Sequence, residues 1–336
     1  MSLDNPPLRS VRAPNHLVAS ADHLATSAGV EMFARGGNAV DAALAPTAAA
    51  PAIRLANDGF GASTLLVGSL ARTPEQGQAN LSELSEQATA RGARVRRPGV
   101  AAALAGIAAG GRDTFYGGAF GEGLLALGDG LFSEADLARN QADWEPVLST
   151  DAFGVTLHTT APNSQGYLAL GGARLATQLD LPADPDDERW AHLLIEAATA
   201  AGRDRPRQLH DAADGAELLD IIDGRIDEID IERASQRWSP SNDGDTTYHC
   251  PAGRGHDGRE MAVSQNQSNA SGFGSLLVEP NTGINLHNRG MGFSVEAGHR
   301  AEFAPCRLPP HTLLPMAAPR DDGSLAAVMG TMGGDA

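Results

Sequence analysis

The chain of 336 residues contains no lysine; all 25 of its basic residues are arginine. That absence excludes Schiff-base chemistry on a lysine side chain and a Walker-type phosphate loop, whose motif includes a lysine. Cysteine is almost missing as well. Cys250 and Cys306 are too few for a disulfide framework. No apolar run approaches the ~18 residues of a membrane span. The opening Met1-Ser-Leu-Asp-Asn-Pro-Pro has no basic region followed by an apolar one, so no secretory signal is read there. A cytoplasmic protein without membrane contact is expected. Positive charge is in short supply too: 42 acidic residues leave a net charge of −17, and without a basic block nucleic acid is a poor partner. What is present is enough for a packed core, with 42% hydrophobic and 20% charged residues, which argues against wholesale disorder. At roughly 100–200 residues per domain, the length allows one large domain or two ordinary ones.

Residues 22–56 read as a helical hairpin. Leu24, Ala28, Val30, Met32 and Phe33 supply an apolar face, and Arg35-Gly36-Gly37-Asn38 breaks it; glycine there can take the left-handed conformation that ends a helix. An Ala-rich second helix follows, interrupted by Pro46 and Pro51, and Asn57-Asp58-Gly59 reads as a turn. Further helices are expected within 63–111, with Pro98 in a first turn. A short helix capped by Ser133 and Asp136 comes next. Residues 153–160 alternate as a strand, and Asn163-Ser164-Gln165-Gly166 opens a helix near Tyr167–Leu179. Two more helices fit 187–201 and 215–233.

The texture changes near residue 235. A polar, turn-rich stretch up to Asp245 reads as an exposed loop. Strand-like runs follow at Thr246–Cys250, Met261–Gln265, Ser275–Val278, Gly283–His287, Thr312–Ala317 and Leu325–Met329. Helices first and strands second predict an α+β layering, with helices stacked on a largely antiparallel sheet.

Asp245-Thr246-Thr247-Tyr248 stands where that loop meets a strand. A threonine hydroxyl is a weak nucleophile unless a base activates it, and a free N-terminal amine on the same residue can be that base. The dipeptide alone says little, because threonine is common at strand starts. Other motifs add to it: Gln267-Ser268-Asn269-Ala-Ser-Gly-Phe-Gly, Gly283-Ile-Asn-Leu-His-Asn288-Arg289-Gly290, Pro310-His311-Thr312-Leu313 and Met329-Gly330-Thr331-Met332-Gly333-Gly334-Asp335. This series resembles the small subunit of the gamma-glutamyltransferase and cephalosporin acylase family, in the N-terminal nucleophile hydrolase superfamily. The earlier Gly36-Gly37-Asn38-Ala39-Val40-Asp41-Ala42-Ala43, Ala50-Pro-Ala-Ile-Arg54, Phe115-Tyr-Gly-Gly118 and Ala161-Pro-Asn-Ser-Gln-Gly166 are similar to motifs of its large subunit.

The resemblance implies a four-layer α-β-β-α sandwich, made as a precursor that cuts itself between Asp245 and Thr246. Residues 1–245 would form a large-subunit-like segment and 246–336 a small-subunit-like one, a single domain once cut. Thr246 would be the nucleophile and Thr247 its neighbour. Gly333 and Gly334 would form the oxyanion hole, and Asn269 would contact substrate. Asn288, Arg289, His311 and Thr312 occupy the remaining substrate-binding positions. No cofactor or metal is implied. The implied partners are a small amide of the glutathione kind and, after cleavage, the two chains of one molecule, with a homodimer also compatible.

The sequence departs from the family pattern in ways that bear on substrate. The Gly-rich segment that carries a carboxylate-clamping arginine is missing between Ala45 and Ala50, and family members continue beyond Gly-Gly-Asp, so the sandwich is expected to be incomplete. Where glutamyl enzymes carry an acid to hold the substrate's amino group, Asn288-Arg-Gly-Met-Gly-Phe293 has none. The family's Ser-Ser pair appears as His311-Thr312, and its threonine before the Asn as Gln267. Two alternatives to glutamyl transfer stay open: an acylase or amidohydrolase on a non-glutamyl amide, and a non-catalytic remnant. Arg289 reads either as a surface arginine or as the partner of an acidic acyl group. His249, Cys250, His256, Cys306 and His311 lack paired zinc spacing and read as a strand cysteine and solvent-facing histidines. The acidic run Asp184–Glu188 reads as a helix-dipole complement.

Overall fold

A computed structural model describes residues 15–20, 23–48, 50–235, 247–254, 258–320 and 322–330. The strands are β1 (His16–Ser20), β2 (Phe60–Gly61), β3 (Arg94–Val95), β4 (Val147–Ala152), β5 (Val155–Thr160), β6 (Thr247–Arg254), β7 (Glu260–Ala262), β8 (Gln265–Gln267), β9 (Pro315–Pro319) and β10 (Leu325–Gly330). The amino-terminal helices are α1 (His23–Ala34), α2 (Ala39–Ala48), α3 (Ala50–Asp58), α4 (Thr64–Arg72), α5 (Glu75–Asn80), α6 (Ser82–Ser85), α7 (Pro98–Tyr116), α8 (Ala119–Gly128) and α9 (Glu134–Ala138). Then come α10 (Gly166–Thr177), α11 (Glu188–Gly202), α12 (Arg205–Gln208) and α13 (Gly215–Asp223).

Two antiparallel four-stranded sheets form the centre. One runs β1-β6-β7, with β8 also on β6; the other runs β10-β9-β5-β4. Helices α1 and α2 cover the first sheet, and α10 covers β4 and β5 of the second, with α11 and α13 packed on α10. The order helix, sheet, sheet, helix is the four-layer α-β-β-α sandwich. Ser264 joins the two sheets: its hydroxyl donates to the Met329 carbonyl on β10 and accepts the Met316 N–H of β9 at 3.2 Å. Each sheet draws strands from both sides of residue 246. β1 pairs with β6, and β5 pairs with β9.

The largest core lies between the second sheet and its helices. Leu170 and Leu175 of α10 and Ile222 of α13 are buried there with Leu157, Leu314 and Met316. Each such side chain contributes about 2 kcal/mol by leaving water. A second cluster, Val18, Phe33, Ala39 and Ala42, holds α1 and α2 to the first sheet. Ala28 and Phe33 of the expected apolar face are buried, while Val30 faces outward at 51% exposure.

Several expectations are corrected. The helix expected over 215–233 stops at Asp223, because Gly224 caps it and a 3-10 turn follows at Ile226–Glu228. α2 continues across Pro46, and Pro51 falls in the first turn of α3, where its missing N–H costs little. The runs 275–278 and 283–287 are no ladder strands. They bond to each other irregularly, through Ser275 N to Leu286 O, Glu279 N to Ile284 O and Leu286 N to Leu277 O. Positive φ at Gly274, Leu276 and Gly283 breaks the two-residue alternation a regular pair needs. Strands β1 and β4 were not foreseen, whereas the Ser133–Asp136 capping box formed as expected.

Candidate active site

The nucleophile position and the oxyanion glycines of the sequence reading, Asp245, Thr246, Gly333 and Gly334, lie outside the described residues. The structure does place the backbone next to them. β6 begins at Thr247, between β1 and β8, with Thr247 opposite Gln267. Strand β8 ends there, and the chain turns at Ala270, whose φ is +78°.

This turn brings the predicted binding residues together. The Asn269 carbonyl accepts the Asn288 N–H at 3.0 Å. Asn288 returns the contact, its side-chain oxygen accepting the Ser271 N–H at 3.0 Å. The clasp fixes the entry to a 3-10 turn at Arg289–Gly292. From that turn Arg289 donates through Nη1 to the Thr312 hydroxyl oxygen at 3.3 Å. Arg289 is half-buried and its Nε is shut off from solvent, which corrects its reading as a surface arginine.

His311 and Thr312 are held by the loop ahead of α10. The His311 N–H donates to the Asn163 carbonyl and the His311 carbonyl accepts from Gln165 N–H, both at 3.0 Å. The Ser164 hydroxyl donates to Leu313 O at 2.7 Å, and Asn163 Nδ2 to Pro309 O at 2.6 Å. Gly166 lets α10 start this close to β5: a Cβ there would sit 2.8 Å from Thr159 Cγ2. Gln165 is 3% exposed, and its side-chain oxygen has no hydrogen-bond partner among the described residues. Sequence reasoning gave this stretch only a structural part.

Burial, and then the nearby charges of Arg289 and Arg205, push the His311 imidazole down to about 4. Its Nδ1 accepts the Leu313 N–H at 3.2 Å, so the neutral ring carries its proton on Nε2. Arg205 was missed in the sequence because it lies on the short α12, which no local motif ties to the site. The low value has a consequence for stability. Unfolded histidine titrates near 6.5, so between pH 6.5 and 4 the unfolded chain holds more protons than the folded one. Stability therefore falls as pH drops through that window, by up to about 3 kcal/mol from this group. His311→Asn should flatten the loss of melting temperature from pH 6.5 to 4; equal slopes in a pH series of thermal melts would remove His311 as the cause.

The other titratable candidates resolve simply. His249 is buried, not solvent-facing, with Nε2 3.0 Å from Ala42 O, because β6 turns it into the helix layer. Cys250 is buried and Cys306 exposed; His256 lies outside the described residues. Asp187 of the acidic run caps α11, accepting the Arg189 N–H at 2.9 Å. Among the described residues no helix is long and apolar enough to cross a membrane.

Comparison with known proteins agrees with this layout. The chain is 34% identical over 254 residues to the oxamate amidohydrolase proenzyme of Klebsiella pneumoniae subsp. pneumoniae, covering 73% of this chain and 47% of that one. It is 28% identical to the glutathione hydrolase-like YwrD proenzyme of Bacillus subtilis, over 68% of this chain and 44% of the relative. The chain thus spans about half the length of the curated relatives it matches. The cephalosporin acylase structure from Bacillus halodurans superposes with a TM-score of 0.80 at 23% identity, covering 98% of this chain and 80% of that one, which shows the shared fold. The gamma-glutamyltranspeptidase sequence profile matches residues 47–336. On that match, and on the identity to the Klebsiella relative, the chain belongs to the gamma-glutamyltranspeptidase family.

Proposed function

We propose that the chain is the precursor of an amide hydrolase whose nucleophile is the Thr246 hydroxyl. Cleavage after Asp245 frees the Thr246 amine, which takes the hydroxyl proton as its oxygen attacks an amide carbonyl. The Gly333 and Gly334 N–H groups would hold the oxyanion, each such donor being worth about 3–4 kcal/mol in comparable sites. The amide C–N bond breaks, the leaving amine takes the proton, and water or an acceptor amine then releases the acyl group from Thr246. No cofactor takes part. The segments 1–245 and 246–336 would stay together after the cut.

The observation that carries this reading is the position of β6. It starts at Thr247 in the interior of a sheet, and the chain beyond its partner β8 leads into the clasp of Asn269 and Asn288. Acyl transfer requires a nucleophile held in a fixed position, and β6 supplies a paired strand directly after position 246 in the sequence. Strand pairing across residue 246 in both sheets supports chains that remain associated. The proenzyme names of the Klebsiella and Bacillus subtilis relatives support processing. A non-glutamyl amide is favoured over a gamma-glutamyl one, because an arginine stands at 289 where a substrate ammonium would need an acid.

Intact-mass spectrometry tests the proposal. Two chains are expected, the smaller beginning at Thr246. A single chain that hydrolyses no amide would overturn it and leave the non-catalytic remnant.

A further inference from the structure

Ser264 stands between β7 and β8, both of which pair with β6. Ala262 lies opposite Ala252 and Gln265 opposite His249, which sets Ser264 opposite Cys250. Side chains alternate along a strand, and His249 points into the helix layer, bonded to Ala42 O. Cys250 and Ser264 therefore face the second sheet. There the Ser264 hydroxyl donates to the Met329 carbonyl of β10 and accepts the Met316 N–H of β9 at 3.2 Å. It also accepts the Cys250 S–H, at 3.8 Å; burial pushes that thiol's pKa up, so it keeps its proton to donate. A hydroxyl has one proton and two lone pairs, and here all three are used. One side chain thus links β6, β9 and β10, with nothing left over for a ligand.

We propose that Ser264 is a positioning residue for acyl transfer: its hydroxyl holds β10, the strand that leads to Gly333 and Gly334, fixed against β6, the strand that Thr246 leads into. This rests on the hydrolase reading above, in which the attacking group and the oxyanion donors belong to chain segments of opposite sheets. Cys250 lies four residues after Thr246, and Met329 four residues before Gly333, so the link sits at a similar short remove from both. Apolar contact between sheets is non-directional and tolerates sliding, whereas hydrogen bonds on one oxygen have preferred directions and lengths. A misplacement of about 1 Å, even from a change far from the chemistry, can cost about a hundredfold in rate. Ser264 has no free bonding capacity to offer a substrate, so the loss belongs in kcat rather than KM.

The test compares the full chain with Ser264→Ala and Ser264→Thr. Intact mass through a timed induction gives the rate of the Asp245–Thr246 cut. The 4-nitroanilides of acetic acid, of glutaric acid and of the glutamate side chain give kcat and KM for the cut protein, and thermal melts report folding. Ser264→Ala strips the Met329 carbonyl and the Met316 N–H of their partner. It is expected to cut about tenfold or more slowly and to lose about 30-fold in kcat, with KM within about threefold of the wild type. Ser264→Thr keeps the hydroxyl and is expected to recover most of both rates, which a packing role alone would not give. Rates within about twofold of the wild type in a folded Ser264→Ala, a rise in KM at constant kcat, or a threonine variant no faster than alanine would each overturn the proposal. Where the wild type cuts but accepts none of the anilides, the cleavage rates alone decide. If Ser264→Ala does not melt cooperatively, Ser264→Cys takes its place. Its thiol is a weak donor, so a loss of about tenfold is expected, and no loss counts against the proposal. The two readings fail distinguishably. A cut, active wild type whose Ser264 variants match it removes the positioning role alone; a wild type that neither cuts nor hydrolyses removes both.

Discussion

On the proposed reading, Thr246→Ala is expected to leave one uncut chain and to lower amide hydrolysis by at least about 10⁴-fold, the scale of loss when an acyl-transfer nucleophile is removed. Two functions would then disappear in one substitution. The hydroxyl is the group that would attack the Asp245–Thr246 peptide bond during maturation and the substrate amide afterwards. Alanine keeps the backbone and the β-carbon, so the pairing of β6 with β1 and β8 has no reason to change. Thermal melting should therefore stay within a few degrees of the wild type, which separates a chemical effect from misfolding. Thr246→Ser keeps a hydroxyl and is expected to cut slowly and retain measurable turnover. The measurements are intact mass over a time course and hydrolysis of a chromogenic anilide. Cleavage at the same bond in the alanine variant would show that the nucleophile is another residue.

Gly123→Ala destabilises the fold by about 3 kcal/mol or more, through overpacking against an immovable neighbour. Gly123 lies on α8, and a Cβ there would fall onto the carboxylate of Glu279, 2.5 Å from its Cδ. Glu279 cannot give way. It is fully buried, and its oxygens accept Asn281 N–H at 2.7 Å, Thr282 N–H at 2.8 Å and the Thr282 hydroxyl. Moving it would strip three donors of their acceptor, in a loop that α7 already touches through Gly99, whose own Cβ would stand 2.7 Å from the Thr282 carbonyl carbon. The Arg97 guanidinium, paired with Glu83 at 2.6 Å and bonded to the Gly283 carbonyl, ties the same loop to α6 and the start of α7. A drop of at least about 5 °C in melting temperature is expected. Gly92→Ala is a contrast: no atom lies within 4 Å of its Cβ, but φ is +83°, so only a backbone penalty of about 1 kcal/mol applies. Equal melting shifts for the two would mean that Glu279 repacks.

Local rules were legible wherever a residue acts on its near neighbours. Ser133 and Asp136 cap α9, and Asn163–Gly166 opens α10, because capping and turn chemistry act over three or four residues. That Asn288 enters the cluster with Arg289, and His311 with Thr312, was legible for a related reason: each pair belongs to one short run. Residues 275–287 misled, because alternation alone reads as strand while Leu276 and its neighbouring glycines turn the backbone. Arg205 and Gln165 were illegible as site residues. Nothing near them in sequence marks the one as a charge on His311 or the other as a buried, unpartnered oxygen.

By itself the sequence determined the absence of lysine chemistry, the α+β class, the family, and the residue types offered at each motif, since these follow from composition, short-range periodicity and ordered motifs. The tertiary structure decided which motifs meet. It set β6 between β1 and β8, turned His249 into the helix layer, withdrew Arg289 from the surface, and placed two arginines against one histidine. Those outcomes depend on chain segments from about 20 to more than 200 residues apart packing together, and burial and Coulomb forces act on distance in space rather than along the chain.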